Sequence, residues 1–318
     1  LGDLLNKLKQ LTPDYGFIDS QELLPSGAFW AGSIAYDMVQ FTQPISLEKL
    51  PKENEILTVL WLIKNYVIHS VEDNDYAVHG IDERWVKNVE EVIDNHEILV
   101  TLPLQPENDN DEFSSIDDEQ HRNSIQKIKT SIANGMFYQV NFGRFWSGRL
   151  VEHPFTIFQR LAIANPAPFS AYVEAVDLGL AIVSSSPETL LRCNNRLLSS
   201  APIKGTVTRG ANKSEDLAMI ASMIADIKER SEHRMLVDLM RNDLSSICKV
   251  GTVNIAQFDV ESYANVHHLV SHINGKLLDD KTSADALEAI FPGGSITGCP
   301  RTMVCAAIDQ IEHSNRSF

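Results

Sequence analysis

The sequence contains few cysteines. Its 318 residues include Cys193, Cys248, Cys299 and Cys305. No two of them have the Cys-x-x-Cys spacing that is typical of structural zinc sites and redox motifs, which argues against a zinc site. Because disulfide bonds are rare in reducing compartments, we expect reduced, mostly buried thiols in a cytoplasmic protein.

Long apolar runs and basic residues are also scarce. No run approaches the roughly 20 apolar residues that a helix needs to cross a bilayer, and residues 1–7 lack the pattern of a signal peptide. Lysine and arginine together number 27 against 43 acidic residues, which gives a formal charge of −16. A chain this acidic repels nucleic acid and anionic membrane surfaces, so we expect neither kind of partner.

The remaining composition is typical of a globular protein. With 43% hydrophobic residues, residues 1–318 are long enough to form one large domain of two intertwined α/β halves. Residues 104–118 are rich in Asp, Glu and Asn, and we expect an acidic mobile loop there. Solvation explains its carboxylates better than metal binding does, because no regular backbone holds them together.

Hydrophobic periodicity places helices and strands along the chain. Helical spacing predicts helices at residues 3–10, 83–94, 119–135, 154–164 and 214–242, and another after residue 300. Alternation predicts strands at residues 29–37, 56–71, 137–145, 178–185, 190–198 and 263–277. Separate helices, together with strands that are typical of antiparallel pairing, indicate the α+β class.

Lys204 and Glu188 are the first candidate catalytic residues. Pro202 and Gly205 bracket the lysine, which predicts a fixed turn that presents it with little main-chain freedom. Inside a cavity, desolvation would lower the lysine pKa and free the amine to act as a nucleophile, and Glu188 could protonate a leaving hydroxyl. From residue types alone, two solvated surface groups are the alternative.

Glu229 and Glu232 are three residues apart in a predicted helix, so they share one face. Two carboxylates on one face repel each other, and they are tolerated when both are exposed or when a cation lies between them. By spacing alone, the exposed arrangement is favoured. Asp238 and Arg241 have the same spacing, and we expect a structural ion pair across one turn.

Three further features have both a structural and a functional interpretation. Gln139 lies in a predicted strand, where backbone partners could satisfy its amide. His268 and His272 would lie roughly 13 Å apart at the rise of a strand, too far to share one metal ion, and a core position is the alternative for His268. The glycine-rich turn at residues 291–301 exposes backbone N–H groups that suit an anion, although it is not a Walker loop.

Ser-Pro-Glu at residues 186–188, followed by Pro-Ile-Lys-Gly-Thr at residues 202–206, resembles the chorismate-utilising enzymes. The similarity extends from about Gly32 to Arg316 and includes several separate blocks in the family's order. Within the family, the chain is most similar to component I of the aminodeoxychorismate synthases, which make the precursor of 4-aminobenzoate. The resemblance implies two facing antiparallel sheets, helices on the outside, and chorismate in the cleft between the halves.

The resemblance also implies roles for the candidate residues. Glu232 ligates Mg²⁺ and Glu229 supports the ion through water, which suits a hard cation that retains waters. Lys204 adds to C2 of chorismate while Glu188 protonates the departing C4 hydroxyl, and His268 lies in the active site. Ammonia, supplied by a glutamine amidotransferase partner, then attacks C4 and expels the lysine.

Further residues are implied to bind ligands. In the family, the block at residues 291–301 binds the carboxylate region of chorismate, and the family usually has lysine where this chain has Arg301. The implied substrate-binding residues are Gln139, Gly205, Thr206, Gly294, Ser295 and Thr297. Pro168, Phe169 and Ser170 belong to a stretch that helps to form an effector pocket for tryptophan in the synthase branches. A turn leading into a core strand is the alternative.

Two alternative functions stay open. Component I of anthranilate synthase shares the same blocks but typically has Ala in place of Lys204, so that ammonia adds at C2 and pyruvate leaves. Isochorismate and salicylate synthases resemble the chain less at Tyr138 and Gln139. We expect that N-terminal family segments, and those after Phe318 that hold a second metal-ligating glutamate, lie outside this sequence. An inactive fragment that binds a partner is the second alternative.

Overall fold

The computed structural model describes residues 28–51, 55–95 and 113–318. The helix predicted at residues 3–10 and most of the acidic loop predicted at residues 104–118 lie outside these described residues. Within the described ranges, no helix combines the length and the apolar character needed to cross a membrane.

The largest sheet in the described part of the chain is built around its longest strand, β14 (Val266–Lys276). One edge of β14 pairs with β13 (Asn254–Ser262), and the other edge pairs with β12 (Ile203–Thr208) and β11 (Leu197–Ala201). Beside β11 lies β10 (Thr189–Asn194), the fifth strand. Periodicity predicts β14 correctly but does not predict β13.

Five two-stranded ladders accompany this sheet in the described ranges. They join β1 (Phe29–Ile34) with β2 (Thr58–Ile63), β3 (Asn65–Ser70) with β4 (Asp75–Gly80), β5 (Phe113–Ser114) with β7 (Trp146–Ser147), β6 (Gln139–Val140) with β15 (Gly298–Cys299), and β8 (Phe169–Ala175) with β9 (Leu180–Ser186). Every one of these ladders is antiparallel. The predicted α+β class with antiparallel sheets is therefore confirmed, and the division into two halves stays a prediction.

Most of the remaining regular structure in the described chain is α-helical. In chain order the helices are α1 (Glu83–Asn95), α2 (Asp118–Ala133), α3 (Pro154–Ala164), α4 (Lys213–Ala225), α5 (Ile227–Ser245), α6 (Ser283–Ile290), α7 (Gly294–Thr297) and α8 (Arg301–Ile311). The structure confirms the helices predicted at residues 83–94, 119–135 and 154–164, with ends that differ by no more than about two residues, as is usual for helix boundaries.

The prediction of a single helix at residues 214–242 is wrong, because the chain forms two helices there, α4 and α5. Asp226 between them has an extended backbone, with φ −67° and ψ 113°. Its carboxylate accepts hydrogen bonds from the N–H groups of Lys228 and Glu229 at 2.8 and 3.1 Å, which starts a new helix at this position. Farther along α5, the predicted ion pair of Asp238 with Arg241 is confirmed at 3.4 Å.

Several predicted strands differ from the structure in extent or pairing. The strand predicted at residues 29–37 ends at Ile34, and a 3₁₀ helix follows it. The strand predicted at residues 137–145 is shorter in the structure and consists of the two residues of β6. In the described chain, only Gln139 and Val140 of this segment have partners in a strand ladder. The strands that flank residues 186–188 pair with β8 and β11 and not with each other.

The main hydrophobic core lies between α5 and the large sheet. Val237, Met240 and Leu244 of α5 pack in one buried cluster with Ile273 of β14 and with Leu277, the residue that follows this strand. Burying one side chain of this size contributes roughly 1.5–3 kcal/mol. Because α5 contacts both β12 and β14, the residues that project from α5 and β12 are held by the most buried part of the described chain.

Candidate active site

Lys204 lies at a β-bulge in β12. The ladder with β14 shifts its register by one residue between Ile203 and Thr206, so that Lys204 and Gly205 together face Leu269. Gly205 has φ +100°, and a side chain placed on it would begin 3.2 Å from Cβ of Leu269. A bulge bends its strand and re-aims the side chain of the bulged residue. The fixed turn predicted around Lys204 is thus a bulge within a strand.

A cavity of about 520 Å³ opens beside this bulge. Five of the predicted site residues line it: Gln139, Glu188, Lys204, Glu232 and Ser295. They come from β6, the turn after β9, β12, α5 and α7, so elements that are distant in the chain converge here. Binding sites for small molecules commonly measure about 300–1,000 Å³, a range that includes this volume.

The amine of Lys204 and the carboxylate of Glu232 form an ion pair in the cavity. Nζ of Lys204 lies 3.0 Å from Oε2 of Glu232, and the two side chains are 32% and 31% exposed. Nζ of Lys228, one turn earlier on α5, lies 3.8 Å from the other carboxylate oxygen. Ion pairs that reach solvent contribute only about 0–1 kcal/mol, so a ligand can readily replace this contact.

Glu188 is held next to the bulge by two hydrogen bonds. Its carboxylate accepts from the N–H of Ile203, the residue before Lys204, and from the hydroxyl of Ser295. Burial raises the pKa of Glu188 above its usual value, and the two hydrogen bonds offset only part of that effect. A carboxyl group with a raised pKa retains its proton at higher pH, which suits a general acid.

Glu229 and Glu232 offer oxygen ligands of the kind that Mg²⁺ prefers. Oε2 of Glu229 lies 3.6 Å from the point where a side chain on Gly205 would begin, so this carboxylate also faces the bulge. Mg²⁺ is commonly bound by one or two carboxylates together with water and substrate, which this pair fits. In the part of the chain that the structure describes, no group of three or more His, Cys, Asp or Glu residues could hold a metal ion.

His268 and Thr206 form a pair that does not line the cavity. Nδ1 of His268 lies 2.8 Å from the hydroxyl of Thr206, and its ring centroid is 5.5 Å from that of Tyr263. Burial lowers the pKa of His268, and the nearby Glu261 opposes this shift. Thr206 follows Gly205 in β12, and its partner His268 precedes Leu269 in β14. The structure therefore places these two predicted site residues directly beside the bulge.

The glycine-rich segment folds into α7 and β15 and supplies one cavity residue, Ser295. Gly294 packs against Leu239 of α5, where a side chain would meet Cδ2 of that leucine. Thr297 is fully buried, and its hydroxyl donates to the carbonyl oxygen of Gly293 at 2.9 Å. Gly294 and Thr297 thus shape this segment, and neither of them lines the cavity.

Arg301 points into the protein interior. The side chain is 8% exposed. Its guanidinium donates to the carbonyl oxygen of Ala289 at 2.6 Å and pairs with the carboxylate of Asp243. Arg301 therefore ties α8 to α5 and α6, and it does not line the cavity.

Gln139 reaches the cavity from β6. Its Oε1 is buried and has no hydrogen-bond partner among the described residues. A buried acceptor without a partner is costly, at about 1–3 kcal/mol. A ligand that donates a hydrogen bond would remove that cost, so Gln139 is suited to binding such a ligand.

Sequence patterns assign no site role to the other residues of the cavity wall. These are Ile132, Tyr138, Val140, Asn141, Ile203, Met235 and Leu236. Met235 and Leu236 follow Glu232 by three and four residues, a helical spacing that could have identified them. Tyr138 and Asn141 flank β6, where the chain is too irregular for periodicity to show which side chains face inward.

A smaller pocket of about 230 Å³ includes Pro168 and Phe169 in its wall. Ile203 lines both this pocket and the larger cavity. Ser170 does not line the pocket, and its hydroxyl donates to the carbonyl oxygen of Ala167 at 2.8 Å. Two of the three residues predicted for an effector pocket therefore line a depression in the protein, and their role in binding an effector stays a prediction. Phe169 also begins β8, as the structural alternative predicts.

Known proteins resemble this chain over most of its length. It is 34% identical over 260 residues to aminodeoxychorismate synthase component 1 of Bacillus subtilis (strain 168), covering 81% of this chain and 53% of that protein. It is 31% identical over 313 residues to anthranilate synthase alpha subunit 2, chloroplastic, of Arabidopsis thaliana, covering 90% of this chain and 50% of that protein. The chain thus spans about half the length of these relatives.

Solved structures share this fold as well. Anthranilate synthase component I from Streptococcus pneumoniae TIGR4 matches with a TM-score of 0.81 and 24% identity, over 98% of this chain and 71% of that chain. A model of the chorismate binding enzyme family matches residues 5–318. The chain belongs to the family of chorismate binding enzymes.

Proposed function

We propose that the protein is component I of an aminodeoxychorismate synthase, which converts chorismate and ammonia to 4-amino-4-deoxychorismate for the synthesis of 4-aminobenzoate and folate. The observation that carries this proposal is the position of Lys204. The bulge in β12 holds its amine in the cavity, 3.0 Å from Glu232. Direct attack of ammonia on the ring needs no such amine, whereas a covalent route through the protein does.

The proposed chemistry uses Lys204 as nucleophile and Glu188 as acid. The ammonium group of Lys204 first loses a proton to solvent, and the neutral amine attacks C2 of chorismate. The ring double bonds shift, and the C4–O bond breaks. Glu188 supplies the proton with which the C4 hydroxyl leaves as water. Ammonia then bonds to C4, the double bonds shift back, and the bond between C2 and Lys204 breaks. The proton that ammonia loses restores Glu188.

Glu232 and Glu229 are the residues that would hold Mg²⁺. When bound, the ion would neutralise the ring carboxylate of chorismate and withdraw electrons from the ring. In the structure, the amine of Lys204 lies against Glu232 at 3.0 Å. Lys204 and a metal ion would therefore compete for the same carboxylate. Lys204, once released from Glu232, would have its side chain available to the substrate.

Ammonia would come from a glutamine amidotransferase partner in the cytoplasm. The buried Oε1 of Gln139 in the cavity wall offers an acceptor for an N–H donor such as ammonia. We therefore place the incoming ammonia on the side of the cavity formed by β6.

Formation of anthranilate is the alternative, because anthranilate synthases are among the relatives and the solved structures. In that reaction ammonia adds at C2 and pyruvate leaves. C2 is also the carbon that Lys204 would attack in the proposed route. The identity of the residue at position 204 of the chain, lysine or alanine, therefore distinguishes the two functions.

Product analysis by mass spectrometry tests the proposal. The full-length protein is incubated with chorismate, Mg²⁺ and ammonium at mildly alkaline pH, alongside the variants Lys204→Ala and Lys228→Ala. Both lysines contact Glu232, but Lys204 alone of the two lines the cavity. We expect aminodeoxychorismate from the unsubstituted protein and from Lys228→Ala, and its loss or replacement by anthranilate in Lys204→Ala. Anthranilate from the unsubstituted protein would contradict the proposal.

A further inference from the structure

His233, the residue after Glu232 on α5, is fully buried beside the bulge. Its Nδ1 lies 3.2 Å from the carbonyl oxygen of Lys204, and its Nε2 lies 2.7 Å from the hydroxyl of Ser271 in β14. One imidazole ring thus bridges α5, β12 and β14. The chemistry proposed above assigns this histidine no role.

These two contacts determine which ring nitrogen carries the hydrogen. A carbonyl oxygen can only accept, so Nδ1 of His233 donates to Lys204. Nε2 of the neutral ring then accepts from the hydroxyl of Ser271.

The contact lies where the strand ladder is interrupted. The pairs of β12 with β14 pass from Ile203 to Thr206, and Lys204 and Gly205 lie between them. A bulge leaves part of the ladder without its regular partners. At this interruption, the N–H of His233 donates a hydrogen bond to the carbonyl oxygen of Lys204. A helix side chain therefore fixes the bulge from the core side.

We infer that His233 is a positioning residue for Lys204, which sets the direction of the amine by holding the carbonyl group of the same residue. The neighbouring Glu232 contacts the amine itself at 3.0 Å. Two consecutive residues of α5 thus hold Lys204 at its main chain and at the end of its side chain. This inference rests on the proposed role of Lys204 as the nucleophile.

The first test compares two substitutions of His233 in the full-length protein. His233→Leu removes both contacts, whereas His233→Asn keeps an N–H donor near the position of Nδ1. Because a small misplacement of a reacting group can lower a rate on the order of 100-fold, we expect His233→Leu to lower kcat by that factor. We expect KM for chorismate to change by less than about threefold, since ground-state binding is retained. His233→Asn should recover a large part of kcat.

A second readout monitors Lys204 directly. With ammonia withheld, the proposed chemistry stops at the adduct in which C2 of the ring is bonded to Lys204 and water has left. Peptide mass spectrometry measures how fast this adduct accumulates. We expect the rate to fall in His233→Leu in parallel with kcat and to recover in His233→Asn.

His267 provides a matched control. It is 1% exposed, lies on the same strand as Ser271, and has hydrogen bonds to Ser262 at 2.7 Å and Asp216 at 2.9 Å. We expect His267→Leu to lower the unfolding temperature without changing the rate of adduct formation in the folded protein. If His233→Leu does not fold, Ser271→Ala takes its place, because it frees the ring at Nε2, and we expect a smaller loss of kcat.

The outcomes separate this inference from the proposed function. Unchanged kcat and adduct rate in folded His233→Leu would overturn the inference, as would a loss of the same size in His267→Leu or the absence of any recovery in His233→Asn. If the unsubstituted protein forms neither adduct nor product, the role of Lys204 as nucleophile fails, and the inference fails with it.

Discussion

Two glutamates face the same cavity in contrasting surroundings. Glu188 is half-buried, and its pKa is raised because desolvation outweighs its hydrogen bonds to Ser295 and Ile203. Glu232 lies instead between two ammonium groups, at 3.0 Å from Lys204 and 3.8 Å from Lys228. Neighbouring carboxyl groups in different environments can take different roles, one as an acid and the other as an anion.

Substituting Glu188 tests its role as the acid. We expect Glu188→Gln to lower kcat by about 10²–10⁴-fold, the usual contribution of general acid catalysis, while chorismate still binds. In the unsubstituted protein, kcat should fall as the pH rises through the raised pKa, because the acid must hold its proton. Ser295→Ala removes a hydrogen bond that lowers the pKa of Glu188. In this variant, the falling limb of the plot of kcat against pH should therefore move to higher pH. Steady-state kinetics across the range from mildly acidic to mildly alkaline pH measure both effects, and a limb that moves to lower pH would contradict the assignment.

Glu232 is expected to be the principal ligand of Mg²⁺. Because loss of even an outer-shell partner weakens metal binding by about 10–100-fold, Glu232→Gln should weaken it by at least tenfold. Isothermal titration with Mg²⁺, or electron paramagnetic resonance with Mn²⁺, gives the affinity without any turnover. Asp238→Asn is the control, since this carboxylate lies on the same helix with a side chain that is 62% exposed. Equal losses in the two variants would argue against a metal site at Glu232.

At the residue scale, the sequence predicts which side chains lie side by side when the geometry of a single helix or strand decides it. Glu229 and Glu232 are expected on one helix face because the helical period sets that relation. The partner of Glu232 cannot be read from spacing, since Lys204 belongs to a distant strand. His233 gives no signal at all, because its contact with Lys204 depends on a bulge that exists only once β12 pairs with β14.

Among the elements, the bulge in β12 contributes most to the site. Gly205 has φ +100°, a backbone conformation that favours glycine, and a side chain on it would press on Leu269 at 3.2 Å. Residues forced into such a conformation cost about 1–3 kcal/mol. The bulge must therefore relax when a side chain is added, and Lys204 must move with it.

Gly205→Ala is expected to lower both stability and activity. The free energy of unfolding should fall by about 1–3 kcal/mol, and kcat should fall because the amine of Lys204 is displaced. Gly179→Ala is the matched control, because Gly179 also has a positive φ of +60° but has no atom within 4 Å of an added side chain. Urea unfolding and steady-state kinetics give the two quantities. Full activity in Gly205→Ala would show that the bulge geometry does not matter.

Element prediction from sequence succeeds for long periodic segments and fails at irregular ones. The helices α1, α2 and α3 are predictable because each presents one continuous apolar stripe. Periodicity misses the break at Asp226, although an aspartate before Lys228 and Glu229 is a capping signal. The segment around β6 alternates like a strand, but alternation cannot tell how many residues find a partner.

For the molecule as a whole, the cavity has two walls with unequal support. One wall, formed by β12 and α5, is anchored to the main core. The other wall is the two-residue ladder of β6 with β15. Side chains beyond α8 brace this second wall, since Glu312 accepts from the N–H of Gly143 at 2.6 Å and Arg316 donates to the carbonyl oxygen of Asn141 at 2.6 Å.

Hydrogen exchange should reveal this difference. The amides of Tyr138 and Asn141 donate to the carbonyl oxygens of Cys299 and Thr297, and they should exchange through local opening. The amide of Leu269 in the buried centre of β14 should exchange at least about 100-fold more slowly, because it requires larger-scale unfolding. Exchange followed by NMR measures both. Equal protection of the two walls would contradict the prediction.

At this largest scale, the α+β class and the family are predictable from the sequence, because the blocks that resemble the family are spread along nearly the whole chain. The placement of those blocks relative to one another in the folded protein is not predictable in this way. Ser295 and Glu188 meet through a hydrogen bond between α7 and the turn after β9, and no local pattern specifies a contact over that separation.

Ile203 lines two of the depressions in the described part of the chain, the 520 Å³ cavity and the 230 Å³ pocket. Its N–H also holds Glu188, and the next residue is Lys204. A ligand that moves Ile203 from the side of the smaller pocket would therefore displace the acid and the amine together. Thermodynamic linkage makes such an effect reciprocal: chorismate in the large cavity would change the affinity for that ligand by the same factor by which the ligand changes the affinity for chorismate.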